Sequence, residues 1–140
     1  MFLDASVVAA VLLQEEDGPA FLKAMEAARG TLRYLPIVRL EATLALVRKR
    51  VERRGKGPAA EDFAAAADLV DELLKALEAK EMHITGSMGA EAIRALSVYG
   101  KVVGHPAQLN MGDALSYACA KAFHVPLLYK GDDFSKTDLA

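Results

Sequence analysis

The chain contains one cysteine and no tryptophan among its 140 residues. A single thiol cannot close an internal disulfide, and Cys119, on a helix of small residues, reads as core packing. The three histidines, His83, His105 and His124, are scattered and offer no Cys/His spacing suited to a structural zinc. Excess positive charge is also missing: 17 Lys and Arg against 19 Asp and Glu leave a net charge of −2. No global field therefore draws the chain onto nucleic acid, and any such binding must come from a local patch. No apolar run approaches the roughly 18 residues of a membrane span. The opening MFLDASVVAAVLLQEE carries an acid where a secretory signal has its positive region, which predicts a cytoplasmic protein. Apolar residues, by contrast, are plentiful: 53% hydrophobic with 26% charged supports a buried core and argues against disorder. The length predicts one domain over residues 1–140.

Short apolar segments alternate with longer helical patterns, the pattern of an α/β protein with a parallel sheet covered by helices. Phe2 and Leu3 form a first strand ending at Asp4, followed by a buried helix from Ser6 to Gln14. A second helix spans Pro19 to Arg29, capped by Asp17 and stopped by Gly30. Thr31 to Leu35 reads as a strand. Pro36 opens a helix with the stripe Ile37, Leu40, Leu44, Val47 and Val51. Gly55-Lys56-Gly57-Pro58 breaks it, and Phe63, Ala66, Ala67, Val70, Leu73, Leu74 and Leu77 trace the next helix, whose other face, including Asp62, reads as solvated. Met82 to Thr85 predicts a strand, and Ser87 caps a helix through Tyr99. Asn110 caps a helix to about His124, and a last strand, Leu127 to Tyr129, runs into Gly131-Asp132-Asp133.

Ligands of open parallel sheets gather at the carboxyl ends of the strands, so acids just beyond them carry weight. Asp4 ends the first strand, Glu41 lies two turns into the helix after the second, and Asp132 and Asp133 follow the last. Asp113 stands in the first turn of the helix leading into that strand. Each acid has an ordinary structural explanation. Asp4 caps the next helix, Glu41 pairs with Arg39 or Arg48, Asp113 complements the dipole of its helix, and Asp132 and Asp133 form a turn. A shared cation explains their convergence better than four coincidences. Carboxylates without His or Cys match the hard ions Mg2+ or Mn2+, which are held by a few acids plus substrate phosphates. Such sites perform phosphoryl chemistry.

The opening FLDAS, the Glu41 helix and the stretch LNMGDALSYACAKAFHVPLLYKGDDFSKTDL resemble a PIN-domain ribonuclease, specifically the VapC-type toxin of a bacterial VapBC toxin–antitoxin pair. The segment Leu109 to Leu139 carries most of the likeness; between Arg54 and Ile84 only the helical character matches. The resemblance implies a three-layer α/β/α fold with a short, mainly parallel twisted sheet. It implies an endoribonuclease that hydrolyses RNA with a metal-activated water, with Asp4, Glu41, Asp113 and Asp133 as the metal-binding acids. Ser6, Thr137 and Asp132 are then secondary site residues. It further implies a VapB-type antitoxin partner and a homodimer. For the RNA, the chain offers Arg48, Arg50 and Arg53 near the end of the Glu41 helix, and Lys130 beside the last acids; cations at a helix C-terminus are also what its dipole favours. Two other classes stay open. One is a catalytically silent RNA- or protein-binding module. The other is an aspartyl-phosphate phosphotransfer protein, although Asp4 lacks the neighbouring second acid such sites use.

Overall fold

A computed structural model describes residues 1–140. Four two-residue strands, β1 (Phe2–Leu3), β2 (Arg33–Tyr34), β3 (Lys80–Glu81) and β4 (Leu127–Leu128), form one parallel sheet in the order β3-β2-β1-β4. The helices are α1 (Ala5–Leu12), α2 (Gly18–Ala27), α3 (Pro36–Arg54), α4 (Ala60–Ala76), α5 (Gly86–Tyr99) and α6 (Met111–Phe123). This is the α/β architecture read from the alternation of segments. No helix is long and apolar enough to cross a membrane.

The central strand is fixed from both sides. Phe2 N–H donates to the carbonyl of Pro126 at 2.8 Å, Asp4 N–H to that of Leu128 at 3.0 Å, and Arg33 N–H to that of Met1 at 2.9 Å. Phe2 and Leu3 are buried with Val7 and Val8 of α1, Val38, Ala42 and Leu46 of α3, and Val70 and Leu74 of α4 in the main core. A smaller cluster joins Ala95, Ala107, Leu109, Tyr117 and Phe134. It anchors the chain after β4, because Tyr117 O–H donates to Asp138 at 2.7 Å and Lys121 reaches the same carboxylate at 2.6 Å.

Several boundaries differ from the sequence reading, each for a physical reason. β3 lies at Lys80–Glu81, not Met82–Thr85. It is an edge strand with both residues exposed, so alternating apolar residues are not required there. Thr85, not Ser87, caps α5, accepting from Met88 N–H at 3.3 Å. Asp17 makes no side-chain cap on α2 and instead accepts from Lys130 at 2.9 Å. On α3 the buried face is Val38, Ala42, Thr43, Leu46 and Val47, while Leu40 is 56% exposed.

Asp62 is the largest departure: expected on a solvated face, it is 1% exposed. The turn after Gly55, whose φ of 74° closes α3, folds the start of α4 back onto the arginines ending α3. Asp62 takes two bonds from Arg54 at 2.7 and 2.6 Å, one from Ala59 N–H at 2.8 Å, and an ion pair with Arg50 at 2.9 Å. Hydrogen bonding from Arg54, then from Ala59, holds its carboxyl well below the usual carboxylate range. A depressed carboxyl contributes stability that is present above its unfolded pKa of about 4 and lost as the pH falls below it. Asp62→Asn is therefore expected to lower the thermal midpoint by several degrees at pH 7, with the gap to wild type closing as the pH falls well below 4 in melts followed by circular dichroism.

Candidate active site

The chain leaves β1 outward through β2 and β3, then returns to the other flank of β1 as β4. The strand order thus reverses between β1 and β4, and the crevice beyond their carboxyl ends is where open sheets of this kind hold ligands. Asp4 stands at that point and is buried. Its Oδ2 accepts from Ser6 N–H at 3.0 Å and from Ser6 O–H at 2.6 Å, and its Oδ1 accepts from Ser116 O–H at 3.0 Å. Ser6 in turn accepts from Lys130 N–H at 3.0 Å, so the exit of β4 braces the same carboxylate. Capping and site placement coincide here: the bond to Ser6 N–H is the N-cap of α1.

Glu41 reaches the crevice from α3 and Asp113 from the first turn of α6. Together with Asp4, Ser6 and Arg48 they line a cleft of about 270 Å³. Asp113 also completes a capping box: its N–H donates to Asn110 Oδ1, and its Oδ2 accepts from Asn110 N–H, both at 3.0 Å. Burial pushes the Glu41 carboxyl up to about 7, the charges of Asp4 and Asp113 add to the rise, and Arg48 offsets part of it. Asp113 is pushed up to about 6, chiefly by burial; its bond from Asn110 N–H opposes this, and the charges of Asp4 and Asp133 add to it. None of the chain's ion pairs involves Asp4, Glu41 or Asp113. Of the two arginines expected beside Glu41, Arg39 is committed elsewhere, forking onto Asp71 at 2.6 and 2.8 Å, while Arg48 shares the cleft without forming an ion pair.

The donor set is all oxygen, and Arg48 offsets only part of its charge without forming an ion pair, which fits a hard divalent cation. No three Asp, Glu, His or Cys side chains are gathered tightly enough to enclose an ion by themselves. Mg2+ tolerates this, because it keeps several waters and takes one or two carboxylates plus substrate phosphates.

A family model for the PIN domain matches residues 1–139. The chain belongs to the PIN-domain family. A VapC ribonuclease of Rhizobium meliloti is 43% identical over 139 residues, covering 99% of this chain and 98% of its own. Ribonuclease VapC28 of Mycobacterium tuberculosis is 33% identical over 138 residues, 98% of this chain and 93% of its own. Ribonuclease VapC30 of the same species is 36% identical over 144 residues, 100% and 96% respectively.

In this PIN domain the residues singled out from sequence fall into three groups. Asp4, Ser6, Glu41, Asp113 and Arg48 share the cleft. Asp133 is exposed and is not among the residues lining the cleft, but its charge acts on Asp113. The others do not line the cleft either. Asp132 is exposed, its backbone carbonyl accepting from Ser135 O–H at 2.6 Å. Thr137 is buried, and its hydroxyl donates to the Phe134 carbonyl at 2.7 Å. Arg50 and Arg53 line a separate groove of about 350 Å³ with Leu12, Leu13, Leu46 and Leu69. Lys130 is paired with Glu15 and Asp17. Sequence reasoning missed Ser116, although its position three after Asp113 places it on the same helix face.

A carboxyl raised in the folded state stabilises the fold below its unfolded pKa and loses that contribution as the pH climbs through the folded value. For Glu41 the carboxyl rises from 4.5 to about 7, and because the group is only half-buried, solvent screening reduces what that rise contributes to stability. In EDTA the thermal midpoint is expected to fall between about pH 4 and pH 7. Asp113, raised from 3.8 to about 6, contributes to the same slope, so Glu41→Gln should flatten roughly half of it in the same melts; an unchanged slope would remove Glu41 from the strained set.

Proposed function

We propose that this chain is a divalent-metal-dependent endoribonuclease, the VapC-type toxin of a toxin–antitoxin pair. The observation that carries the proposal is the convergence of Asp4, Glu41 and Asp113 in one cleft where none of them forms an ion pair, Arg48 lining the same cleft and offsetting only part of the rise at Glu41. Relatives matching the chain almost end to end are named ribonucleases, which supports RNA as the substrate.

Asp4, Glu41 and Asp113 would hold Mg2+, or Mn2+ in its place, with Asp133 contributing as fourth acid. When bound, such an ion lowers the pKa of a water for attack on a phosphodiester and neutralises charge on the leaving oxygen. The chain's own part is orientation. Ser6 and Ser116 hold both oxygens of Asp4, and the capping box fixes Asp113 through the same oxygen that bonds Asn110. Arg48, on the wall of the cleft, is suited to an RNA phosphate and tempers the repulsion on Glu41. Arg50, Arg53 and Lys130 extend the basic surface, although Arg50 and Lys130 first have to leave their acidic partners. Asp132 and Thr137 would support the segment carrying Asp133 without touching the ion.

The proposal includes a VapB-type antitoxin partner, a cytoplasmic setting and one domain over residues 1–140. It also includes a homodimer, since Leu40, Val102, Val103 and Met111 are large apolar side chains more than half exposed and burial against a second copy would favour them.

The test is cleavage of total RNA with Mg2+ or Mn2+, with EDTA as control. Asp4→Asn and Asp113→Asn are expected to lower cleavage on the order of 100-fold or more while keeping both caps, because Asn is itself a good cap. In EDTA neither variant should melt below wild type. Arg48→Ala should weaken RNA binding roughly uniformly across sequences and reduce its salt slope by about 1. If RNA stays intact with Mn2+ present and any antitoxin removed, the enzyme reading fails.

A further inference from the structure

Gly112 lies one residue before Asp113, inside the first turn of α6, and is buried. Its φ is not in the left-handed region, so the backbone there does not require glycine, and glycine is a poor helix former. The space around it accounts for the residue. A Cβ built on Gly112 would stand 2.7 Å from Cδ and 2.9 Å from Oε2 of Glu41, and in contact with Oε1 as well. The three nearest atoms all belong to that one carboxylate. They are the far end of a flexible side chain and not backbone, so an added methyl displaces Glu41 before it disturbs the fold.

We propose that Gly112 is a positioning residue: its missing side chain is the seat on which the Glu41 carboxylate lies, and this brings Glu41 beside Asp4 and Asp113. The inference rests on the metal-site reading above for its consequence, but the seat itself is independent of any ion. Gly112 and Asp113 thus divide the work on one turn of α6, the first placing a carboxylate from α3 and the second supplying its own.

The experiment compares wild type, Gly112→Ala, Glu41→Ala and the double variant. In EDTA the thermal midpoint should respond to Gly112→Ala differently with and without Glu41, because only one background contains the displaced group. Titration with Mn2+ alone should show Gly112→Ala weakening affinity about 10- to 100-fold, and in the Glu41→Ala background the same change should add nothing. RNA cleavage by Gly112→Ala should recover as Mn2+ is raised, which a general packing defect would not do. If Gly112→Ala does not fold, the double variant should; failure of both overturns the proposal, as does a Gly112→Ala effect of equal size in both backgrounds. Wild type that binds no Mn2+ would sink the metal reading, and the EDTA comparison would still decide whether Gly112 seats Glu41.

Discussion

Burial of neighbouring carboxylates, Asp4 fully and Glu41 and Asp113 half, is the constraint around which this PIN domain is arranged. Burial alone raises Glu41 and Asp113, and each is raised further by its acidic neighbours. Such a cluster costs stability in the bare chain and is retained where function needs it. The surrounding structure tolerates the cost by giving each acid a second attachment. Asp4 caps α1, Asp113 closes the capping box of α6, and Glu41 is held by its place on a 19-residue helix whose opposite side is core.

The sheet supplies the geometry. Its strands are only two residues long, yet β1 lies between β2 and β4, so the reversal of strand order falls at Asp4. The two ends of the chain are tied at the same place: Lys130 N–H bonds the Ser6 hydroxyl, and buried Phe134 anchors the turn that carries Asp133. The Asp62 clasp between α3 and α4 serves another purpose. It occupies Arg54 and Arg50, which separates the arginines near the end of α3 into structural ones and those left available, such as Arg48.

Much of this was legible in the residues. Asp4 after two apolar residues, Pro36 opening a helix and Asn110 capping another are local signals, and each holds in the structure. What escaped was non-local. Asp62 reads as a solvated acid because nothing in α4 reveals that the end of α3 folds back over it. Lys130 reads as a site cation because its partners, Glu15 and Asp17, lie more than 110 residues away in sequence. β3 has no apolar signature because an edge strand in so short a sheet needs none. Ser116 and Gly112 could have been found on α6, since both lie on the turn around Asp113, but their roles depend on partners from β1 and α3.

If the cleft is a cation site under electrostatic strain, binding must expel the protons that raised carboxyls retain. Titration calorimetry with Mn2+, run in buffers of different ionisation enthalpy, counts those protons directly. Release of roughly one proton per ion is expected near pH 6.5, shrinking toward none above about pH 8. Binding at pH 6.5 with no proton released, or no binding at any pH, would contradict it.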